Sequence, residues 1–302
     1  MTVLRVLPHI ADALRRGVPV VALETSVLSQ GLPIPHNADA ARRMMDAVQR
    51  VGAVAALTAV AAGQPTLGLR DEELARFLAR DGVRKVSARD LAACVVQGAD
   101  GATTVAASLT LAHAAGVEVF ATGGIGGVHR GAPFDESADL HALARTPVIT
   151  VCAGAKSILD LPATLERLET LGVPVVGYRT DELPGFFTVG TSLRVPQRAE
   201  SAEEIAQIAR AHWAMGERSA VLVVQPPPAD AALDQQTVDA AVSGAVRDAD
   251  AAGIRGAALT PFLLGAVLAA TGGRSLPANL ALLEANAKLA AQIAVACVAL
   301  AR

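Results

Sequence analysis

Short apolar runs rich in β-branched residues alternate along the chain with segments whose apolar residues have helical spacing. The apolar runs lie at 18–26, 53–63, 117–124, 146–154, 173–180, 219–228 and 255–262. The helical segments lie at 38–52, 71–82, 103–116, 137–146, 156–172 and 201–216. Continuous apolar strands that alternate with helices are typical of a parallel sheet covered on both faces. The pattern predicts an α/β fold with a mostly parallel central sheet.

The length and punctuation of the chain favour one domain over residues 1–302. No linker, low-complexity segment or internal repeat interrupts the alternation. Hydrophobic residues make up 52% of the chain but aromatic residues only 3%. Such Ala- and Val-rich composition suits helices packed closely on a parallel sheet.

The net charge indicates which partners the protein can bind, and the cysteines and the N-terminus indicate its cellular compartment. The net charge is −3, with no run of like charges, so no basic face for nucleic acid or a membrane surface is expected. The three cysteines are widely spaced, which indicates reduced thiols. The N-terminus shows no signal-peptide pattern, and the apolar stretch at 260–270 is too short to span a bilayer. We expect a cytoplasmic protein that binds neither nucleic acid nor membrane.

Polar residues are scarce inside the predicted strands but appear at their ends, among them Glu24, Thr122 and Lys156. The carboxyl ends of parallel strands share one edge of the sheet, where ligands of open α/β sheets bind. Each residue alone could be a helix cap or a turn former. Together, with a lone Glu and a lone Lys, they predict a functional site at this edge.

Lys156 follows a predicted strand and is predicted to begin a helix, among small and apolar neighbours. Desolvation and a helix N-terminus both favour the neutral amine, the form that attacks a carbonyl carbon. The alternative is a surface lysine at a helix start. Glu24 ends the first long strand, where a carboxylate is costly unless it is paired or used. General acid–base chemistry is one interpretation, and a helix cap or an ion pair with an Arg is the other.

The segment ATGGIGGVHRG (121–131) contains five glycines beside Thr122 and His129. Glycines let backbone N–H groups approach an anion, so the segment predicts phosphate or sugar recognition, with a tight turn as the alternative. It does not fit the dinucleotide-binding fingerprint. Lys85 precedes a hydroxyl-rich helix start at Thr103 and Thr104, a second candidate anion site, although a solvated lysine is the ordinary alternative.

Three carboxylates, those of Asp135, Glu136 and Asp139, lie within five positions, and Ser137 among them is a natural helix N-cap. Carboxylate oxygens suit Mg²⁺ or Mn²⁺, which keep several waters. An acidic first helical turn that balances the helix dipole explains the same spacing without a metal. The spacing alone favours this second interpretation.

Several motifs together resemble the pseudouridine-5'-phosphate glycosidases, also called indigoidine-synthase-A-like proteins. The resemblance covers nearly the whole chain, and it is carried by ETSVLSQGLPIPHN (24–37), RKVSARDL (84–91), GATTVAAS (101–108), FATGGIGGVHRG (120–131), the segment 134–160 with AGAKSILD at its end, LGVPVVGY (171–178), TPFLLG (260–265) and ANLALLEANAKLAAQIA (278–294). It implies a single α/β/α domain, a homotrimer, and reversible conversion of pseudouridine 5'-phosphate and water to uracil and ribose 5-phosphate with a divalent metal, typically Mn²⁺.

The resemblance also implies roles for individual residues. Lys156 would be the nucleophile toward the anomeric carbon, Glu24 the proton donor, and Asp135 the metal ligand, largely through waters. The substrate would be lined by Lys85, Val105, Thr122, His129, Ser137, Ala138, Asp139 and Asn279. Gln30 stands where relatives are expected to have His. Without the sugar-kinase module of some relatives, the chain is expected to work with a separate pseudouridine kinase.

The implied chemistry agrees with the residue types. Ordinary glycosidases use paired carboxylates to protonate a leaving oxygen, whereas here the leaving atom is carbon. A lysine can form an iminium at the anomeric carbon, which a carboxylate cannot. Two alternatives stay open: a lysine-dependent aldolase or lyase on another sugar phosphate, and a non-catalytic sugar-phosphate-binding protein.

Overall fold

The structure is a computed structural model that describes residues 4–131, 135–254 and 259–301. Its strands are β1 Arg5–Val6, β2 Val20–Leu23, β3 Val54–Ala61, β4 Gln64–Leu67, β5 Arg84–Val86, β6 Gly101–Thr103, β7 Val119–Ala121, β8 Ile149–Cys152, β9 Val175–Tyr178, β10 Gln197–Ala199 and β11 Val221–Val224. Its helices are α1 Pro8–Arg15, α2 His36–Arg50, α3 Asp71–Ala79, α4 Leu91–Val96, α5 Val105–Ala114, α6 Ala138–Leu143, α7 Leu161–Thr170, α8 Ala202–Ala214, α9 Gln235–Ala251, α10 Leu259–Ala270 and α11 Ser275–Leu300.

The strands form one sheet in the order β1-β4-β3-β2-β7-β8-β11-β9-β10, and β6 joins β5 to β3. Neighbours in this order pair in parallel except at β4, which is antiparallel to β3, as is β6. In β2, β8 and β11 every residue is buried. Successive strand residues point to opposite faces, so both faces of the central sheet are covered. The predicted α/β fold with a mostly parallel sheet is confirmed.

The longest helix, α11, lies in the core of the molecule. It contacts β2, β7 and β8 of the sheet as well as α2 and α8. Over its 26 residues it is the one described helix that is long and apolar enough to cross a membrane, yet 61% of its most apolar window is buried inside the protein. Its apolar composition is therefore accounted for by packing.

One predicted strand is wrong. The apolar run at 255–262 predicts a strand, but residues 259–262 begin helix α10, and residues 255–258 lie outside the described part. Leu259, Leu263 and Val267 are the buried residues of this helix. Their four-residue spacing is helical, and a short apolar run does not distinguish a buried helix from a strand.

The predicted helix start at Lys156 is also wrong. Helix α7 begins at Leu161, where the side chain of Asp160 caps it by accepting a hydrogen bond from the backbone N–H of Ala163 at 3.0 Å. Lys156 lies in the loop between β8 and α7, so the helix dipole does not act on its amine in the way that the sequence suggested.

Candidate functional site

Glu24 and Thr122 meet directly after two neighbouring strands. The last residues of β2 and β7, Leu23 and Ala121, are paired in register, which sets the next residues side by side. The Thr122 hydroxyl donates to Oε1 of Glu24, and the Ser26 hydroxyl donates to Oε2 at 2.6 Å. Glu24 is only 5% exposed. It is a buried carboxylate held by two hydroxyl groups, rather than a helix cap or the partner of a described arginine.

Lys156 is carried on a loop that is hydrogen-bonded to the glycine-rich segment along its length. Its backbone N–H donates to the carbonyl of Ile125 at 3.1 Å, and the N–H of Ile125 donates to the carbonyl of Gly154 at 3.1 Å. Further along, the N–H of Asp160 donates to the carbonyl of Val128 at 2.9 Å. These bonds continue the pairing of β7 with β8 beyond the sheet. The lysine loop and the glycine-rich segment therefore form one unit.

Arg130 fastens the same loop from its outer end. Its Nε donates to the carbonyl of Leu159 at 3.0 Å, and a terminal guanidinium nitrogen donates to the carbonyl of Ser157 at 3.4 Å. Both carbonyls lie within three residues of Lys156. No separate role for Arg130 was predicted, because contacts to backbone carbonyls leave no local pattern in the sequence.

The glycines of this segment allow close packing. A Cβ atom at Gly126 would lie 2.2 Å from Oγ of Ser137, and one at Gly127 would lie 2.4 Å from Oγ1 of Thr164. One at Gly124 would lie 2.6 Å from the ring of Phe186. Among the five glycines only Gly131 has a positive φ. Close approach of neighbouring elements, and not left-handed backbone, is what requires glycine at 124, 126 and 127.

Asp139 joins three elements of the site. Its Oδ1 accepts from the backbone N–H of Ala106 at 3.0 Å, and its Oδ2 accepts from that of Gly126 at 2.9 Å. It therefore ties the first turn of α5, which begins at Val105, to the glycine-rich segment. Ser137 is the N-cap of α6, as predicted, and accepts from the N–H of Asp139 at 3.2 Å. Ala138, the first residue of that helix, is exposed.

Lys85 reaches the same edge by a route that the alternation of elements did not predict. It pairs with Ala102 of β6, which pairs with Ala59 of β3, two residues beyond the level where β2 ends. Strand β6 runs antiparallel to β3, and Lys85 is paired with β6. This register brings Lys85 to the end of the sheet where β2 ends. Although the residue is exposed, crowding of its amine by protein atoms lowers the pKa of Lys85, and the positive charge of Lys156 lowers it further.

The same electrostatic interactions show which predicted residues come together. The carboxylates of Asp139 and Glu24 oppose the lowering of the Lys85 pKa, so these two, Lys85 and Lys156 all lie within interaction range. Lys156 itself is partly buried. The structure thus gathers both lysines and two carboxylates at one end of the sheet.

Some buried polar atoms around this edge have no hydrogen-bond partner within the described residues. They include Oγ1 of Thr104, Oγ of Ser157 and Oδ1 of Asn279. Thr104 is the N-cap residue of α5, Ser157 follows Lys156, and Asn279 lies on α11. Buried polar groups are normally bonded, so unpaired atoms beside a candidate site are suited to receive a ligand.

His129 and Asp135 lie next to each other. Nδ1 of His129 lies 3.0 Å from Oδ1 of Asp135, outside hydrogen-bond geometry. They line a cavity of about 330 Å³ with Ile158 of the lysine loop and with α9 and α10. Lys156 and Glu24 are not among its described lining residues, so the cavity lies beside the lysine–carboxylate cluster and not at its centre.

The acidic cluster divides into three separate environments. Glu136 forms an ion pair with Arg167 at 2.9 Å, and Asp139 is engaged by backbone N–H groups. Only Asp135 is left with an imidazole nitrogen beside it. The described residues include no group of three or more His, Cys, Asp or Glu side chains suited to hold a metal ion. One carboxylate can nevertheless anchor a divalent cation that keeps most of its waters.

Gln30 lies in a short π-helical segment, Val27–Gly31, that follows Glu24. Its Nε2 donates to the carbonyl of Val83 at 3.3 Å, two residues before Lys85. Its Oε1 is buried with no partner in the described part of the chain. The amide therefore supports the segment that leads into Lys85.

Asn286 is a residue that sequence reasoning did not assign to the site, whereas Gln225 was one of the polar strand-end residues expected at this edge. Nδ2 of Asn286 donates to the carbonyl of Thr122 at 2.8 Å, and Oδ1 of Asn286 accepts from Nε2 of Gln225 at 2.8 Å. A signal was present: Asn286 is a polar residue on an apolar stretch of α11, and a buried amide needs partners.

Comparison with known proteins identifies relatives over the whole chain. The family model described as indigoidine synthase A like protein matches residues 9–296. A pseudouridine-5'-phosphate glycosidase of Gemmatimonas aurantiaca is 67% identical over 95% of this chain and 94% of its own length. That of Herpetosiphon aurantiacus is 51% identical over 98% of both chains.

Two solved structures share the fold. The prealnumycin C-glycosynthase AlnA, in complex with ribulose 5-phosphate, is 38% identical with a TM-score of 0.92, covering 100% of this chain and 99% of its own. An indigoidine synthase A-like protein of Thermotoga maritima is 36% identical with a TM-score of 0.90, covering 100% and 97%. The family predicted from the motifs is confirmed: this chain belongs to the indigoidine synthase A-like family, whose curated relatives reported above are named pseudouridine-5'-phosphate glycosidases.

Proposed function

We propose that this chain is a pseudouridine-5'-phosphate glycosidase, which reversibly cleaves the carbon–carbon bond between ribose 5-phosphate and uracil. The main supporting observation is the buried Glu24 carboxylate, which two hydroxyl groups hold in place. Glu24 and Lys156 both lie within electrostatic range of the Lys85 amine. The named activity of relatives up to 67% identical over nearly the full length supports the substrate.

The proposed chemistry begins with the neutral amine of Lys156, whose Nζ attacks C1 of the ribose. The bond between C1 and the ring oxygen breaks, and that oxygen takes the proton of Glu24, which begins the cycle as the carboxylic acid. Glu24 regains a proton from the newly bonded nitrogen. The nitrogen lone pair then forms an iminium as the bond from C1 to the base breaks, and the base carbon takes the bonding electrons and the proton of Glu24. Water hydrolyses the iminium to ribose 5-phosphate and free Lys156.

The other proposed residues would hold the substrate around these two groups. The start of α5 combines a helix N-terminus, the unpaired hydroxyl of Thr104 and the nearby Lys85 amine, which suits a phosphate. The unpaired Oδ1 of Asn279 suits an N–H donor such as those of uracil. Contacts from Val105, Thr122, His129, Ser137, Ala138 and Asp139 complete the proposed lining.

A divalent cation, proposed to be Mn²⁺, would be held by Asp135 largely through waters. Asp135 offers a carboxylate, and Nδ1 of His129 beside it has no hydrogen bond within the described residues. An oxygen and a nitrogen ligand together suit a cation of this kind. When bound, the ion would supply positive charge to stabilise negative charge on substrate oxygens.

The proposal is tested by incubating the protein with pseudouridine 5'-phosphate and measuring uracil and ribose 5-phosphate. We expect both in equal amounts, and loss of at least about 1,000-fold in kcat for Lys156→Ala. Lys288→Ala, at an exposed position on α11, is the matched control and should keep wild-type activity. Release of an aldehyde without uracil would favour the aldolase alternative, and binding without turnover would favour a sugar-phosphate-binding protein.

A further inference from the structure

We infer that Asn286 is a positioning residue for Glu24 that acts through Thr122. The inference rests on the proton-donor role proposed for Glu24. Asn286 lies on α11, more than 150 positions from Thr122 in the chain, and both are only 1% exposed. The two residues nevertheless belong to one continuous series of hydrogen bonds that ends on the Glu24 carboxylate.

The series can be followed atom by atom. Nε2 of Gln225 donates to Oδ1 of Asn286 at 2.8 Å. Nδ2 of Asn286 donates to the carbonyl of Thr122 at 2.8 Å and to that of Gly123 at 3.3 Å. The hydroxyl of the same Thr122 donates to Oε1 of Glu24. Gln225 and Glu24, at the two ends, are 9% and 5% exposed.

The direction of these bonds is fixed by chemistry. Backbone carbonyls only accept, so the NH₂ group of Asn286 must face Thr122 and Gly123. Its Oδ1 must then face Gln225, which offers an N–H. Both donors and the acceptor of Asn286 are engaged within the protein, which leaves no N–H for a substrate. This distinguishes Asn286 from Asn279, whose Oδ1 is unpaired, and makes its effect on the reaction indirect.

The placement of Thr122 explains why such support matters. Strand β7 ends at Ala121, so the carbonyl of Thr122 lies beyond the ladder that holds the strand. Among the residues that the structure describes, Asn286 supplies the donor to this carbonyl. Proton transfer depends on sub-ångström placement of the acid. The hydrogen bond from the Thr122 hydroxyl fixes the position of Oε1, one of the two carboxylate oxygens of Glu24. Loss of Asn286 would let the Thr122 peptide turn and Glu24 move.

The first test measures the steady-state kinetics of uracil release by Asn286→Asp. The Asp side chain has almost the same shape as Asn, but it replaces the NH₂ group that donates to the carbonyls of Thr122 and Gly123 with an oxygen, which can only accept. We expect kcat to fall about 10- to 100-fold with KM within about 2-fold of wild type, because Asn286 itself has no N–H left to contact the substrate. Leu289→Ala, a buried truncation on the same helix, is the control for lost stability and should lower Tm with little change in kcat. Wild-type kcat for Asn286→Asp would overturn the inference.

The second test asks whether Asn286 acts through Thr122. In a Thr122→Val background, which lacks the hydroxyl, Asn286→Asp should cost less than about 2-fold further in kcat. A full additional 10- to 100-fold loss would show that Asn286 acts elsewhere and would overturn the inference. If Asn286→Asp does not fold, Gln225→Met is the alternative variant, because it removes the donor to Oδ1 of Asn286. It should lower kcat about 3- to 10-fold with KM unchanged. An unchanged kcat would contradict the inference.

Glu24→Gln separates this inference from the proposed function. Loss of uracil release in Glu24→Gln with normal kcat in Asn286→Asp would overturn the inference alone. Wild-type uracil release by Glu24→Gln would overturn the proton-donor role, and the inference with it.

Discussion

Gly126 shows how a residue without a side chain can shape the candidate site. Its N–H holds Asp139, and its missing side chain lets Ser137 and Asp139 approach within contact distance. The sequence indicated that the glycines mattered but suggested anion binding. For Gly124, Gly126 and Gly127 the reason lies in the partner that packs against each one, and that partner comes from another part of the chain.

Gly126→Ala should therefore impair the site. The added Cβ would lie 2.2 Å from Oγ and 2.5 Å from Cβ of Ser137, so Ser137 and the start of α6 must move. We expect kcat/KM for uracil release to fall at least about 10-fold. Gly244→Ala is the matched control, because that glycine lies in α9 with open space around it, and it should raise stability by roughly 0.5–1 kcal/mol. Equal activity of the two variants would contradict the packing account.

The placement of Glu24 and Lys156 at strand ends was predictable from the sequence, whereas their environments were not. Glu24 and Lys156 stand at strand ends as polar exceptions, which is a local signal. The hydroxyl partners of Glu24 and the Arg130 contacts to the lysine loop depend on register between distant segments. Asn286 is a polar exception on an apolar stretch, but its partners became visible only once α11 was known to pack against β7.

At the scale of elements, alternation of apolar runs and helical segments predicted most strands, because buried parallel strands have a continuous apolar pattern. It failed at α10, where the apolar run was too short to show its helical spacing. It also gave no indication that β6 turns antiparallel to β3, since strand direction is set by pairing partners. That reversal is what brings Lys85 to the site.

The joint between β1 and α3 gives a pH-dependent prediction. Burial raises the pKa of Glu73, but hydrogen bonds from Arg5 and Arg70 outweigh it and lower the pKa to about 2, from 4.5. A depressed carboxyl pKa stabilises the fold fully above about pH 4.5, and this contribution disappears as pH falls toward 2. Glu73→Gln should therefore lower the free energy of unfolding by about 2–3 kcal/mol at pH 7, and by much less near pH 2.

Urea unfolding at several pH values measures this difference. Glu72→Gln is the matched control: its side chain is 68% exposed beside Arg70, so the change should cost less than about 0.5 kcal/mol at every pH. A Glu73→Gln penalty that is the same at pH 7 and near pH 2 would show that packing, and not the ion pairs, holds this joint.

At the scale of the whole molecule, we propose that the chain assembles as a homotrimer, as the family resemblance implies. Val96, Met215 and Ile34 are 86%, 77% and 58% exposed, and subunit contacts would remove apolar side chains of this kind from water. Light scattering coupled to size exclusion should give a mass three times the 30.7 kDa of the chain. A mass of one chain at micromolar concentration would refute the trimer.

The central claim is a covalent bond between Lys156 and C1 of the ribose. Borohydride added during turnover of pseudouridine 5'-phosphate should reduce the iminium and leave a ribose 5-phosphate adduct on Lys156, located by peptide mass spectrometry. Lys85 and Lys288 should stay unmodified under the same conditions. An adduct absent from Lys156, together with an active Lys156→Ala variant, would contradict the account.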